Sequence, residues 1–276
     1  MYYTYRDIIG LLREGGIKDA QYEARVLISE LCDIGMADIL ADPTRIYESD
    51  VLTDAVKKRA ARYPLQYIIE EVGFCRGIFR VNESTLIPRP DTEMLVEYAS
   101  ECIEKNGYFA DLCTGSGCIA ISVLMNRLDL HCVATDICDE TIATAKINAE
   151  RNGVADRIEF LKADVNRPGE LTKKTDRLFD AIVSNPPYIP SGDIQMLDAE
   201  LGYEPHIALD GGEDGMDFYR NIIDGYRKTV KEGGFMLFEI GYDQREAMIS
   251  VAADRGLECR VEKDLGGNDR MAVINL

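Results

Sequence analysis

The chain has 276 residues, 46% of them hydrophobic and 29% charged, an ordinary globular balance with room for one large α/β domain and a smaller one. A net charge of −18 argues against a protein that tracks a phosphate backbone and favours basic or neutral partners. No apolar run reaches the ~20 residues of a transmembrane helix, so no membrane partner is expected.

The N-terminal stretch MYYTYRDIIGLLREGG carries Arg6, Asp7, Arg13 and Glu14 among its apolar residues, unlike a signal-peptide core, and a cytoplasmic location is expected. Eight cysteines (32, 75, 102, 113, 118, 132, 138 and 259) form no C-x-x-C pair and lie mostly in apolar segments. They read as reduced core thiols, with no disulfide frame and no metal site.

Residues 1 to about 70 are predicted to be helical throughout. Ala24, Leu27, Ile28, Leu31 and Ile34 share one face, and Val51, Ala55 and Val56 repeat the pattern, with Gly15-Gly16 and Asp42-Pro43 as punctuation. Residues 71–90 (VGFCRGIFRVNESTLIP within them) alternate as a linking hairpin would. A helix over RPDTEMLVEYASECIEKNG follows, with Pro90 in its first turn.

From residue 108 the chain alternates strand and helix. The expected strands are YFADLC, HCVATDI, IEFLKAD, FDAIVSN, FMLFEIG, LECRVEKD and RMAVINL. Such alternation calls for a mostly parallel sheet with helices on both faces, hence an α/β Rossmann-like domain over 91–276. The last two strands, with no helix between them, predict an antiparallel hairpin.

The first of these strands runs into DLCTGSGCIA. Gly115 and Gly117 permit a tight turn and close backbone approach to a ligand at the following helix N-terminus. Asp136 ends the next strand, 19 residues after Gly117, where a carboxylate can accept ribose hydroxyls. Asp164 and Val165 end the third, where an acid and an apolar neighbour can hold an adenine edge and face. The GSGCIA stretch also satisfies the G-x-G-x-x-[GA] dinucleotide fingerprint, which leaves a nicotinamide or flavin oxidoreductase open.

The fourth strand stops in SNPPYIP. Pro186 and Pro187 lock their own φ angles, and Pro186 restricts Asn185 to extended backbone. Asn185 Oδ1 and the Pro186 carbonyl are then two fixed acceptors, suited to the two donors of a planar –NH2 group, with the Tyr188 ring available for stacking. Accepting both protons orients a weakly nucleophilic nitrogen and stabilises the charge that develops on it. With a methyl sulfonium in line, no strong base is required. The only histidines, His131 and His206, read as structural.

These residues resemble the HemK/PrmC family, the S-adenosylmethionine-dependent glutamine N5-methyltransferases of peptide chain release factors. The likeness spans nearly the whole chain: PLQYI (64–68), LIPRPDTEMLVE (86–97), DLCTGSGCIAIS (111–122), SNPPYI (184–189), YEPHIALDGGEDGMDFY (203–219), FEIGYDQ (238–244) and DLGGNDR (264–270). It implies a helical docking domain over 1–70 and a seven-stranded methyltransferase domain. It also implies that Cys113, Thr114, Gly115, Ser116 and Gly117 hold the methionine part of S-adenosylmethionine, with S-adenosylhomocysteine as product. Asp136 would bind ribose, Asp164 and Val165 would flank adenine, and Asn185, Pro186, Pro187 and Tyr188 would bind the glutamine amide. Arg89 and Glu93 are expected to organise the wall beside the cofactor. Val165 stands where relatives often carry an aromatic, Asp91 where Glu is usual, and Cys113 where Gly is frequent; the last matters only if that position needs a positive φ.

Residues 191–217 contain eight acids and no Lys or Arg. Beside the hook, such a loop is expected to steer a basic release-factor domain; a solvated loop is the plainer alternative. Rivals to the release-factor reading are a glutamine methyltransferase of a ribosomal protein and an adenine-N6 methyltransferase, which the acidic charge opposes. The nicotinamide oxidoreductase leaves N-P-P-Y unexplained, and a non-catalytic binding module completes the set.

Overall fold

The computed structural model describes residues 2–175 and 177–276. The chain divides into two compact units: residues up to Glu71 together with Asp198–Tyr203, and Val72–Leu197 with Glu204–Leu276. The linking hairpin, Glu71 apart, is thus part of the larger unit, and a six-residue piece of the acidic loop belongs to the smaller one.

The smaller unit is helical, with one departure from the expectation. Strands β1 (Tyr2–Thr4) and β2 (Ile46–Glu48) pair antiparallel; three residues each are too few to show a period of two. Helices α1 (Tyr5–Glu14), α2 (Ala20–Cys32), α3 (Met36–Ala41), α4 (Asp50–Ala60) and α5 (Leu65–Ile69) supply the rest. Thr4 caps α1 in a reciprocal box with Asp7. Ile8, Leu12, Ala24, Leu27, Ile28, Leu52 and Val56 form its core. Val51, expected inside, is 63% exposed. Ser49 caps α4, and this phase turns Leu52, Ala55, Val56 and Arg59 inward at 3- and 4-residue spacing instead.

In the larger unit, β3 (Glu71–Phe74) and β4 (Gly77–Arg80) form the hairpin, shorter than expected. Helix α6 (Glu93–Cys102) follows a 3₁₀ turn at Pro90–Thr92. Then come β5 (Tyr108–Leu112), α7 (Cys118–Asn126), β6 (His131–Asp136), α8 (Asp139–Arg151), β7 (Ile158–Lys162), α9 (Gly169–Thr172) and β8 (Phe179–Ser184). After the acidic loop follow α10 (Asp217–Tyr226), β9 (Val230–Glu239), α11 (Arg245–Ala253), β10 (Cys259–Lys263) and β11 (Asp269–Asn275).

The seven strands run in the order β10-β11-β9-β8-β5-β6-β7, parallel except for β11, which is antiparallel to both neighbours. Apolar side chains on one face pack with α6 and α7, and those on the other with α10 and α11. That double burial is why β5 and β8 are buried at every position. The chain reverses its winding between β5 and β8. Ligands of open α/β sheets bind outside the strand ends at such a point. Among the described residues, no helix is long and apolar enough to cross a membrane.

Candidate active site

The loops after β5 and β8 flank that switch point and open on a cavity of about 230 Å³. The strand ends are tied together, since Ser184 Oγ donates to the Leu112 carbonyl at 2.6 Å. The Thr114 N–H also reaches the Thr135 carbonyl at 2.9 Å. These bonds fix the glycine loop and the hook to the same rim.

Three residues of the glycine loop carry positive φ: Cys113 at 60°, Gly115 at 56° and Gly117 at 81°. Cys113 is therefore the departure that matters, a thiol-bearing residue in the left-handed region. Nothing lies within 4 Å of where a Cβ on Gly115 would sit, whereas one on Gly117 would meet Ile121 Cδ1 at 2.8 Å. The first glycine keeps the cradle open and the second permits close packing under α7.

Asp136 shapes the loop as well as the rim. Its Oδ2 accepts the Gly115 N–H at 3.0 Å and its Oδ1 the Cys138 N–H at 3.1 Å. Burial raises its pKa, while these backbone donors hold it down. Asp164 Oδ1 accepts the Asn166 N–H at 2.9 Å, and Val165 is 5% exposed. All of Cys113, Thr114, Gly115, Ser116, Asp136, Asp164 and Val165 line the cavity.

Of the hook, Asn185 and Pro187 line the cavity, and Pro186 and Tyr188 do not. Among the described residues nothing donates to Asn185 Oδ1 or to the Pro186 carbonyl. The Asn185 Nδ2 group donates to Thr92 Oγ1 at 3.4 Å. The Tyr188 hydroxyl reaches Glu239 Oε1 at 3.4 Å, and its carbonyl accepts from Gln244 Nε2 at 2.8 Å. Tyr188 is thus anchored at both ends, whereas the sequence suggested a free stacking ring.

Arg89 lines the cavity and pairs with Glu204, whose side chain is 2% exposed. Glu93 is elsewhere, accepting the Cys75 N–H at 2.9 Å and so bracing the hairpin turn, not the cavity wall. Four polar residues at or beneath the site escaped the sequence reading: Asp111, Thr92, Glu204 and Glu239. Asp111 and Glu239 are acids buried within or at the end of an apolar strand, which was the available signal; Thr92 and Glu204 lie in polar stretches of sequence and carry no such local signal. The acidic loop contributes wall too, through Pro205, Ile207 and Ala208.

The residues fit an adenosine-bearing cofactor with a polar tail. The loop is open over Gly115, Asp136 stands at the rim, and Ala163, Val165 and Phe218 give apolar wall nearby. Methyltransferase fold and family agree with that fit. The Methyltransferase small domain family matches residues 90–199, and the PrmC N-terminal domain family matches residues 5–69. A methyltransferase structure from Pyrococcus furiosus aligns with a TM-score of 0.53 at 16% identity, covering 71% of this chain and 87% of its own, a likeness of fold. A release factor glutamine methyltransferase of Geobacter sulfurreducens is 36% identical over 267 residues, 95% of this chain and 92% of its own. One from Clostridium acetobutylicum is 38% identical over 225 residues, 80% of this chain and 78% of its own. With relatives at this identity aligned along 78% and 92% of their own lengths, the chain belongs to the release factor glutamine methyltransferase family.

Proposed function

We propose that this enzyme methylates the side-chain amide nitrogen (N5) of the glutamine in the Gly-Gly-Gln motif of a peptide chain release factor, in the cytoplasm, using S-adenosylmethionine. The observation that carries the reading is the pair of acceptors, Asn185 Oδ1 and the Pro186 carbonyl, to which no described residue donates, in the hook at the edge of the cavity. An amide –NH2 group offers two donors to match them.

In this reading Cys113, Thr114, Gly115 and Ser116 hold the methionine part of the cofactor, and Gly117, which does not line the cavity, supports that loop from beneath. Asp136 holds the ribose, and Asp164 with Val165 the adenine. The cofactor supplies an electrophilic methyl group on a sulfonium. Asn185 and Pro186 orient the glutamine amide and stabilise the positive charge that grows on its nitrogen. Pro187 stiffens the wall, and Tyr188 anchors the hook. Neither histidine lines the cavity. The helical unit, residues 1–70 with the loop piece it holds, takes the docking role.

Mass spectrometry of a release factor incubated with enzyme and S-adenosylmethionine tests this. One methyl group on the Gly-Gly-Gln peptide, lost with Asn185→Ala while cofactor binding persists in calorimetry, is the expected result. An unmodified release factor alongside a methylated ribosomal protein would overturn the assignment of substrate.

A further inference from the structure

We infer that Glu239 is a positioning residue that fixes, through Thr92, which end of the Asn185 amide faces the substrate. The inference rests on the glutamine reading above and adds to it a reason for the hook's polarity.

Glu239 ends β9 and is 2% exposed. Burial pushes the Glu239 pKa up, while the Thr92 hydroxyl, the Arg270 charge and the Tyr188 hydroxyl oppose that rise; in its ionised form the carboxylate only accepts hydrogen bonds. Thr92, itself 2% exposed, donates its single hydroxyl proton to Glu239 Oε2 at 2.5 Å. With that proton committed, Thr92 Oγ1 can only accept from Asn185, and it receives Nδ2–H at 3.4 Å. The two ends of a carboxamide are nearly the same size, so packing alone does not choose between them; hydrogen-bond direction does. Asn185 Oδ1 is thereby left for an incoming –NH2 group. In the reversed orientation Asn185 would offer its own –NH2 to the substrate's, donor against donor. The second oxygen of Glu239 takes the Tyr188 hydroxyl at 3.4 Å, so one carboxylate holds both ends of N-P-P-Y.

Glu239→Met keeps approximate side-chain size and removes the acceptor. The Thr92 proton is then free to turn to Asn185 Oδ1, which reverses the amide. Thr92→Val cuts the relay at its middle, and Thr92→Ser restores it. Each enzyme is assayed for kcat, for cofactor Kd, and for binding of two peptides, one bearing the target glutamine and one with glutamate in its place. Glutamate presents acceptors where glutamine presents donors. Expected for Glu239→Met is a kcat lower by about 100-fold with cofactor Kd unchanged, and a shift of at least about tenfold in relative binding toward the glutamate peptide. Thr92→Val is expected to lose kcat similarly, Thr92→Ser to stay near wild type, and the Thr92→Val/Glu239→Met double variant to be no worse than either single one. Peptide selectivity unchanged in Glu239→Met, or in Thr92→Val should Glu239→Met fail to fold, would overturn the relay, as would additive losses. Absence of turnover in the wild type would instead sink the glutamine reading, and peptide selectivity, which needs no turnover, would still decide the relay.

Discussion

The hydroxyl of Thr114 donates to Asp111 Oδ2 at 2.7 Å. The Ala120 N–H joins it at 3.2 Å, so one buried carboxyl ties the glycine loop to the first turn of α7. The other oxygen, Oδ1, has no partner among the described residues. Desolvation outweighs these two bonds and pushes the pKa of Asp111 from 3.8 to about 7. A buried acid with a raised pKa binds a proton in the native state that the unfolded chain has already lost. Stability from this group is therefore greatest below pH 4, declines as pH rises between the two values, and is fully lost above about pH 7, a swing of about 4 kcal/mol. Asp111→Asn keeps an acceptor for Thr114 and cannot titrate. Urea midpoints of the cofactor-free protein between about pH 5 and about pH 8 are expected to fall with pH more steeply in the wild type than in Asp111→Asn. Equal slopes would show that the carboxyl is ionised throughout.

The two glycines of the loop are expected to fail differently. Both have positive φ, so alanine costs about 1 kcal/mol at either from backbone alone. At Gly115 the new methyl meets nothing in the chain within 4 Å, and the residue lines the cavity. Gly115→Ala should therefore lose no more than that backbone cost of about 1 kcal/mol in stability and weaken cofactor binding by about tenfold or more. At Gly117 the methyl would stand 2.8 Å from Ile121 Cδ1 and 3.3 Å from Ala145 Cβ. Gly117→Ala should lose about 2–4 kcal/mol of stability through overpacking. Thermal melts and calorimetry on the pair decide it; the reverse pattern would mean that Gly117, not Gly115, faces the ligand.

How far the chain could be read beforehand depends on how local each signal is. Strands β5 and β8 are buried on both faces, so their runs are continuously apolar, and the glycine loop and Asn185 follow as their ends; Asp136 closes β6 and Asp164 follows β7 in the same way. The pair β1–β2 and the four-residue α9 are too short to carry a period. Thr92 and Glu239 lie 147 residues apart in sequence, and nothing local in either stretch announces the other. The same holds for Arg89 and Glu204, 115 residues apart. Residues that touch only in the folded state are invisible to spacing, although PRPDTE and FEIG both drew notice as family landmarks.

Cys113 bears the conformational strain that glycine would avoid. At φ 60° a side chain with a Cβ costs on the order of 1 kcal/mol. Cys113→Gly relieves that strain but loses thiol packing against the core cluster beneath it and frees the unfolded chain. The opposing changes are each about 1 kcal/mol, so Cys113→Gly should melt near the wild type. Cys113→Val, β-branched at the same φ, should lose about 2 kcal/mol or more. Denaturant unfolding of both variants checks this, and a Cys113→Val as stable as the wild type would mean that the loop relaxes out of the left-handed region.

The acidic loop gives the last prediction, which puts the steering expectation to the test. Of its eight acids, four already have arginine partners. Glu200 pairs with Arg59 at 3.1 Å and Arg62 at 3.2 Å within the helical unit. Glu204 pairs with Arg89, and Asp214 and Asp217 with Arg220, in the other. A fifth, Asp210, accepts from Ser191 Oγ at 2.6 Å and from the Gly212 N–H at 3.0 Å. Paired charges cancel beyond a few ångströms, so the field this loop projects toward an incoming protein is far weaker than its composition suggests. Raising salt from about 50 to about 200 mM is therefore expected to change kcat/KM for an intact release factor by no more than about threefold through this loop. The control is Asp193→Asn/Asp198→Asn/Glu213→Gln, which removes the three acids for which the described residues provide no such partner. If the wild type proves steeply salt-dependent and this triple variant does not, those three charges carry the steering; if both are shallow, the loop's acids serve to hold its shape around the cavity.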